Sequence, residues 1–367
     1  MSKRVLSIIG LIVVLAVVIA SCTTAQSPGE SEAASEAPAS EAATPAPPPA
    51  EGYIAEIQSR GELICGVNGG LAGFSVVESD GSYSGIDADY CRALAVAVLG
   101  DAERIDWREL TTETRGPAIQ TGEVDVLIRN TTWTSSRDAE WGNFGPTIFY
   151  DGQGIMVRAE LGAETLEDLD GASICVQQGT TTELNLTDQM RALGVDFTPQ
   201  TFGEIDPTYQ AYEEGRCDAV TSDRSQLISR RTEFGNPDEH EILDVVMSKE
   251  PLGPVVPAGD DAWFDVVKWV VFATIEAEEL GITSENVEEM RDTSENPVVR
   301  RLLGVEAPEL GQQLGLESDW AVNVILTVGN YGEIYDRNLG PDTPFDLDRG
   351  PNQIWTEGGL LYAPPYR

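Results

Sequence analysis

The sequence has little of the residue types on which most metal and hydrolytic sites depend. It contains one histidine, His240, and five cysteines among 367 residues. A single histidine cannot supply a multi-histidine metal site. A Ser-His-Asp triad would have to use it, and no Gly-x-Ser-x-Gly elbow accompanies it. Its polar neighbours Asn236, Asp238 and Glu239 indicate an exposed loop. Serine-hydrolase chemistry is therefore disfavoured, and we expect no metal and no cofactor.

Basic residues are also scarce. The chain has 23 lysines and arginines against 62 aspartates and glutamates, which gives a net charge of −39. That charge repels nucleic acids and anionic membrane surfaces. The acidic residues are spread along the chain rather than grouped in blocks, so we interpret them as a solvated surface. No nucleic-acid partner is expected.

The long apolar run lies at the amino terminus, in residues 5–20. It follows a basic start, ends in small residues before Cys22, and is slightly short for a membrane-spanning helix. The segment resembles a bacterial lipoprotein signal, which implies a signal peptide over residues 1–21 and lipidation of Cys22. An uncleaved anchor is the alternative. Both place the rest of the chain outside the cytoplasm, on the outer face of the cell membrane or in the periplasm.

Residues 23–50 contain only Ala, Ser, Thr, Pro, Glu, Gly and Gln. No side chain in that set can build an apolar core, and the proline-rich composition favours an extended chain. The sequence therefore predicts a disordered tether over residues 22–52, with the folded part beginning at residue 53.

The folded part is long enough for two units with sizeable cores, and the apolar content of 41% is that of a soluble globular protein. Residues 63–67 and 172–177 have the short apolar pattern of buried strands, and each is followed by a segment with a helical start. Residues 263–279 predict an amphipathic helix, because Lys268 and glutamates interrupt its apolar residues. These alternations indicate an α/β fold.

Polar side chains follow the strand predicted at residues 125–128. The next segment, Arg129 to Arg137, is rich in hydroxyls and ends in an arginine. Ligands of open α/β sheets bind beyond the carboxyl ends of the strands, and a guanidinium donates two parallel hydrogen bonds to a carboxylate. We expect an anion site here. The alternative is a helix-capping loop in which Arg137 pairs with Asp138 or Glu140.

Two further segments have the same position relative to a strand. Gly179 to Glu183 begins a helix, with Thr180 and Glu183 at capping-box spacing, and its free amides form a second anion-ready turn. Residues 217–223 form a strand that ends in Asp223. This carboxylate can receive an ammonium group, or it can form a surface salt bridge to Arg224.

Four cysteines remain after Cys22, an even number in an exported protein, so two disulfides are the default expectation. Three pairings are possible. We favour Cys65 with Cys91 and Cys175 with Cys217, because each pair joins a strand to a nearby element of the same half. A zinc site of four thiolates is the rival interpretation, and no Cys-x-x-Cys spacing supports it.

Together these segments resemble the bacterial extracellular solute-binding proteins of the polar amino acid family, receptors of ABC importers, and in particular the general L-amino acid-binding proteins. The resemblance covers residue 53 to the end, and a match spread over the whole folded part is more specific than any single motif. The residues that carry it are Gly85 to Asp89, Gly122 to Asp125, Arg129 to Thr134, Tyr150 to Gly154, Gln178 to Leu186, Lys249 to Pro254 and Tyr362 to Pro365.

This resemblance implies two lobes joined by a two-strand hinge, with the ligand cleft between them. Lobe I consists of residues 53–155 and 249–367, the latter including a C-terminal extension, and lobe II of residues 156–248. The resemblance also assigns roles to individual side chains. Thr132 and Arg137 hold the substrate carboxylate, Thr181 assists from lobe II, Asp223 takes the ammonium, and the other ligand-binding positions are Phe74, Arg129 and Asn130.

The implied function is capture of polar L-amino acids by a monomeric, membrane-anchored receptor that delivers them to permease subunits. Phe74 has the alternative of an ordinary core residue. A few proteins of this fold are enzymes resembling cyclohexadienyl dehydratases, in which Glu183 or Asp223 would serve as the acid. A sensor subunit is a third possibility. The signal and tether favour a receptor.

Overall fold

The computed structural model describes residues 47–367. The expected signal peptide, Cys22 and most of the expected tether lie outside the described residues. Residues 47–52, the described part of the stretch expected to be disordered, contain no helix or strand. No helix within residues 47–367 has both the length and the apolar character that crossing a bilayer requires.

The strands are short, and most are buried. Within the described range they are β1 (Leu63–Val67), β2 (Gly70–Leu71), β3 (Ser75–Val77), β4 (Tyr83–Ser84), β5 (Ile105–Glu109), β6 (Val126–Leu127), β7 (Asn143–Phe144), β8 (Phe149–Asp151), β9 (Gln153–Arg158), β10 (Ser173–Gln177), β11 (Thr198–Phe202), β12 (Ala219–Asp223), β13 (His240–Ile242), β14 (Glu250–Leu252) and β15 (Val255–Val256).

Helices connect and cover these strands. They are α1 (Tyr53–Arg60), α2 (Ile86–Leu99), α3 (Arg115–Gln120), α4 (Ser135–Glu140), α5 (Thr181–Leu193), α6 (Ile205–Glu213), α7 (Arg224–Glu233), α8 (Asp261–Glu279), α9 (Val287–Thr293), α10 (Pro297–Leu302), α11 (Glu309–Gln313), α12 (Trp320–Val328) and α13 (Tyr331–Asn338).

Two five-stranded sheets define two lobes. The sheet of lobe I has the order β5-β1-β6-β15-β7, in which β5, β1 and β6 are parallel and β15 is antiparallel to its neighbours. The sheet of lobe II has the order β11-β10-β12-β9-β13, with β11, β10 and β12 parallel. Because β15 comes from the later part of the chain, lobe I is built from two separate segments. The expected two-lobe α/β fold is confirmed.

The hinge is the antiparallel pair of β8 and β14, with Glu250 opposite Asp151. Gly152 separates the hinge strand β8 from β9. A Cβ at Gly152 would lie 2.7 Å from Cγ1 of Val246, so the returning chain passes against this position. Strand β9 starts at Gln153 inside the lobe II sheet. The first crossing is therefore at residues 149–151, earlier than the expected boundary after residue 155.

The part of the chain after hinge strand β14 packs on the first segment of lobe I. Helix α2 is buried on nearly every side, as is typical of a helix with an apolar surface all round, because later helices cover its outer face. The hydroxyl of Tyr90 lies 3.0 Å from that of Thr274, and Arg337 forms an ion pair with Asp89 at 2.7 Å. Both contacts join α2 to the C-terminal part.

Each lobe has one disulfide. Cys65 of β1 is bonded to Cys91 of α2, and Cys175 of β10 is bonded to Cys217, which precedes β12. These are the pairs favoured from the sequence, and neither joins the two lobes. The disulfides of the described residues therefore do not lock the lobes together.

His240 was expected in an exposed loop, and this expectation was wrong. It begins β13 and is half-buried, with Nδ1 at 2.9 Å from the hydroxyl of Tyr212 and its ring 4.6 Å from that of Phe234. Burial lowers the pKa of His240. The residue is therefore part of the packing of lobe II.

Candidate functional site

A cavity of about 30 Å³ lies between the lobes, at the carboxyl ends of strands from both sheets. That is where open α/β sheets bind ligands. Lobe I and lobe II both contribute to its wall, and nearly all the side chains in it are polar. They are Asn68, Thr112, Arg115, Arg129, Asn130 and Thr132 from lobe I, and Gln177, Thr180, Thr181, Thr182, Ile205, Ser222, Asp223 and Gln226 from lobe II.

The segment after β6 forms the floor of the cavity on the side of lobe I. Asn130 has φ of +33°, a left-handed conformation that asparagine tolerates better than most residues. Its N–H donates to Oδ2 of Asp87 at 2.9 Å, and its Oδ1 accepts from Nδ2 of Asn68 at 3.2 Å. These two bonds fix the turn. Burial raises the pKa of Asp87 to about 7, against the opposing effects of the Asn130 N–H and Arg129.

Arg129 points along the same wall. Its Nε donates to the carbonyl oxygen of Leu110 at 2.6 Å, and its side chain has no other hydrogen bond within residues 47–367. Burial lowers the pKa of Arg129 to about 10, and the carboxylate of Asp87 opposes this shift. The residue remains cationic at neutral pH.

Arg137 lies behind Thr132. Its backbone N–H is capped by the hydroxyl of Thr134 at the start of α4, its Nη1 donates to the carbonyl oxygen of Thr132 at 3.0 Å, and its guanidinium lies 5.0 Å from the ring centre of Trp141. Burial lowers its pKa. The alternative partner Asp138 accepts instead from the N–H of Phe144. Arg137 is thus adjacent to the cavity but not among the residues that line it.

The amino terminus of α5 forms the opposite wall. Thr180 caps the helix, accepting from the N–H of Glu183 at 3.1 Å, and Glu183 accepts in turn from the N–H of Gly179 at 2.8 Å. Thr181 donates its hydroxyl to Oε2 of Glu250 in the hinge strand at 2.9 Å. The first amides of a helix have no intrahelical acceptor, so they are available to an anion.

Asp223 ends β12 inside the cavity and is 7% exposed. Burial raises its pKa well above the ordinary range, and the nearby carboxylates of Asp151 and Glu250 add to the shift, while Arg115 and Arg137 oppose it. The surface salt bridge considered from the sequence is absent, because Arg224 donates to the carbonyl oxygen of Leu243. Asp223 is therefore a buried carboxyl group without a hydrogen-bonded partner in the described chain.

The family of this chain follows from its match to a protein-family model. Residues 63–286 match the model of the bacterial extracellular solute-binding proteins, family 3. The chain belongs to this family. The matched residues include lobe II, the part of lobe I up to residue 286, both hinge strands and every residue that lines the cavity.

Individual relatives of family 3 match over nearly the whole folded part. The general L-amino acid-binding periplasmic protein AapJ of Rhizobium johnstonii is 48% identical over 86% of this chain and 92% of its own. The glutamate/glutamine/aspartate/asparagine-binding protein BztA of Rhodobacter capsulatus is 47% identical over 85% and 92%. A periplasmic binding protein of an ABC transporter from Brucella ovis, solved with glutathione bound, superposes with a TM-score of 0.83 at 48% identity, over 86% of this chain and 99% of that one.

Phe74 does not lie at the ligand cavity, where the resemblance to the family placed it. It is fully buried, and its ring packs edge-on against Phe149 with the centres 5.2 Å apart. The backbone of Phe74 passes close to Gly85, where a Cβ would lie 2.1 Å from the carbonyl oxygen of Phe74. The structure thus puts Phe74 in the core, and the cavity wall does not include it.

Sequence reasoning missed part of the wall. Arg115 is the most consequential omission, because it is 4% exposed, lines the cavity and has no hydrogen bond or salt bridge to any described residue. No motif marks it, apart from the threonine-rich segment before α3. The other missed residues are Asn68, Thr112, Gln177, Ile205, Ser222 and Gln226, whereas Thr180 and Thr182 belong to the anion-ready turn that the sequence predicted.

Proposed function

We propose that this protein captures polar L-amino acids in the cavity between its lobes and delivers them to the permease of an ABC importer. One observation carries the proposal. The cavity region combines a buried arginine cluster with the buried carboxyl of Asp223, and a zwitterion carries the matching pair of charges. Charged groups buried in this way are stabilised by an oppositely charged partner.

In the proposed complex the α-carboxylate lies against Arg137 and Thr132. Nη1 of Arg137 is committed to the carbonyl oxygen of Thr132, which leaves the other guanidinium N–H groups as donors. Thr181 assists from lobe II through its backbone N–H at the helix start, because its hydroxyl already donates to Glu250. Asn130 contributes polar groups from the floor, and Asp223 receives the α-ammonium.

Lobe closure is the proposed signal to the permease. Arg137 belongs to lobe I and Asp223 to lobe II, so the full charge match requires both lobes together. A ligand shifts an open-closed equilibrium only by its difference in affinity between the two states. A substrate that bridges the lobes has this difference, and the hinge pair of β8 and β14 permits the motion.

The relatives support an amino acid as the ligand. AapJ is a general L-amino acid-binding protein and BztA binds glutamate, glutamine, aspartate and asparagine. The glutathione bound to the Brucella ovis protein retains a free α-carboxylate and α-ammonium on its glutamyl residue. All of these ligands share the zwitterionic group that the proposed site recognises.

We further propose that the mature protein is a monomer on the outer face of the membrane, held by lipid on Cys22 and the tether of residues 22–52. The lipoprotein-like segment before Cys22 supports the anchor. Labelling cells with a radioactive fatty acid, in comparison with Cys22→Ser, tests it. Label retained by the serine variant would contradict it.

Thermal-shift and native mass spectrometry screens of the purified folded part against all L-amino acids test the ligand class. We expect several polar amino acids to raise the melting temperature and to form one-to-one complexes. The absence of binding by every amino acid would overturn the proposed function. Incubation with a prephenate-like acid, with product formed, would favour the enzymatic alternative instead.

A further inference from the structure

A turn in the C-terminal part of the chain presents large apolar side chains to solvent. Its anchors, Ile354 and Leu361, are buried, whereas Trp355, Leu360 and Tyr362 are 51%, 57% and 60% exposed. The backbone closes the turn, because the N–H of Trp355 donates to the carbonyl oxygen of Leu361 at 2.8 Å. Neighbouring exposed apolar side chains indicate a contact surface, and tryptophan and tyrosine are enriched in such surfaces.

Two carboxyl groups of helix α8 lie beside this turn. Glu276 is 8% exposed, and its side chain has no hydrogen bond or ion pair within residues 47–367. Glu279 accepts from Nε1 of Trp355 at 2.8 Å through Oε2, while its Oε1 is fully buried without a hydrogen-bond partner. The hydroxyl of Tyr366 is also buried without such a partner. These groups and the rings of Trp355 and Tyr362 line a hollow of about 200 Å³, the α8 hollow.

Within the described chain, no cation pairs with these two carboxylates. Arg301 and Arg367 lie at the edge of the α8 hollow, but neither forms an ion pair with Glu276 or Glu279. Nε of Arg301 donates instead to the carbonyl oxygen of Tyr366 at 2.9 Å. Burial raises the pKa of Glu276 to about 7, and the carboxylate of Glu279 adds to the shift. Burying carboxylates without a partner is unfavourable, so the hollow indicates a cation in the functional complex.

A guanidinium matches the α8 hollow better than an ammonium does. Its planar fork donates parallel hydrogen bonds to carboxylate oxygens, and its face stacks on aromatic rings. Trp355 and Tyr362, whose ring centres are 5.6 Å apart, supply aromatic faces beside the carboxylates. The hollow is smaller than the roughly 300–1,000 Å³ of ordinary small-molecule pockets. It therefore fits one side chain of a larger partner.

We propose that the turn of residues 354–362 and the α8 hollow form a docking surface for a protein partner, which inserts an arginine side chain between Glu276 and Glu279. The net charge of −39 favours a basic segment in that partner. The surface lies outside the interlobe cavity, and the turn lies beyond residue 286, where the family match ends. Docking here is therefore separate from amino acid capture. The carboxylates disfavour contact with an anionic lipid surface.

A peptide with a single arginine tests the α8 hollow in the wild-type protein. The probe is acetyl-Gly-Arg-Gly-amide, compared above the pKa of Glu276 with its citrulline analogue, which has nearly the same shape and no charge. Neither peptide has the free α-groups that the proposed amino acid site recognises. We expect the arginine peptide to shift the NMR signal of the Trp355 indole N–H and to bind about tenfold or more tightly than the analogue. Equal binding of the two, or no binding of the arginine peptide, would overturn the proposal.

Variants locate the contact. The double variant Glu276→Gln, Glu279→Gln keeps the shape of both side chains and should lose about tenfold or more in affinity for the arginine peptide. Glu285→Gln, at an exposed carboxylate outside the α8 hollow, is the matched control and should bind as the wild type does. Unchanged peptide binding by the double variant would overturn the assignment. Circular dichroism checks folding, and the wild-type comparison stands if a variant fails to fold.

Two further measurements identify the class of partner. With benzoylphenylalanine in place of Leu360, irradiation of living cells should form a protein adduct that the double variant loses and Glu285→Gln keeps. Adducts that the double variant keeps, or no adduct at all, would overturn docking. We expect the purified protein not to sediment with phosphatidylcholine vesicles. Sedimentation that Trp355→Ala abolishes would assign the turn to a lipid surface and overturn the protein partner.

Discussion

Thr132 of lobe I and Thr181 of lobe II face each other across the cavity with their hydroxyl oxygens 3.5 Å apart. Thr181 also donates to Glu250 of the hinge, and Glu250 accepts a further hydrogen bond from Asn185 of α5 at 2.9 Å. Lobe I, lobe II and the hinge thus meet at one helix terminus. The described conformation is one in which the lobes are in contact around the site.

Replacing Thr181 with valine tests this junction. Valine keeps the shape and the backbone N–H but removes the bond to Glu250. The net value of one such hydrogen bond is about 0.5–1.5 kcal/mol, so we expect the Kd for an amino acid to rise about two- to tenfold. Thr181→Ser should restore the affinity, because it restores the hydroxyl. Unchanged calorimetric affinity of the valine variant would show that the bond does not contribute to closure.

Replacing either of the two principal charged residues of the proposed site should cause the largest loss of ligand affinity. Arg137→Ala or Asp223→Ala leaves one substrate charge desolvated and unpaired, at a cost of roughly 2–5 kcal/mol. The low end of that range corresponds to at least about thirtyfold weaker binding. Arg104→Ala, at an exposed position outside the cavity, is the control. If both site variants are folded and bind the same amino acids with unchanged affinity in calorimetry, the proposed α-group contacts are wrong.

Binding should depend on pH through Asp223. Its pKa is raised by burial and by the carboxylates of Asp151 and Glu250, with Arg115 and Arg137 opposing. An ammonium favours the ionised form, so ligand binding lowers this pKa and releases a proton. Affinity should therefore fall as the pH is lowered through the raised pKa.

Calorimetry in two buffers of different ionisation enthalpy measures that proton release. Asp223→Asn provides the control, since it should bind more weakly and lose most of the pH dependence. Proton uptake on binding, or a pH dependence that persists unchanged in the variant, would contradict the role of Asp223.

Much of the fold could be predicted from the sequence, because the patterns that indicate its strands and helix ends are local. Strands form at residues 63–67 and 173–177, close to the expected bounds, and Thr180 caps α5 as its capping-box spacing predicts. The break between β8 and β9 at Gly152 could not be predicted from the sequence. It follows from the close approach of Val246, nearly a hundred positions further along the chain, and no local pattern encodes such a contact.

The site was predicted less completely, for the same reason. Thr132 and Asp223 follow strands, so the position of each relative to its own strand places it at the cavity. Arg115 begins a short helix, and its position in the wall depends on how α3 packs against the rest of lobe I. A lone phenylalanine such as Phe74 fits a core or a ligand contact equally well, and only the tertiary structure separates the two.

Asp87 links the site to the stability of lobe I. Its pKa of about 7 in the folded state, raised by burial, lies above the value of about 3.9 for an unperturbed aspartate. The folded state therefore binds more protons than the unfolded state between these values, so the contribution of Asp87 to stability is fully present below about pH 3.9 and is lost as the pH rises to about 7.

Asp87→Asn should remove this loss, because an amide oxygen can still accept the N–H of Asn130 while carrying no charge. We expect the variant to melt at a higher temperature than the wild type at pH 8, and the difference to shrink as the pH is lowered toward 4. Asp244→Asn, at an exposed position, is the matched control and should show little change. Thermal melts of the three proteins across this range provide the measurement. A lower melting temperature for Asp87→Asn at pH 8 would mean that attraction between ionised Asp87 and Arg129 outweighs the burial of the charge.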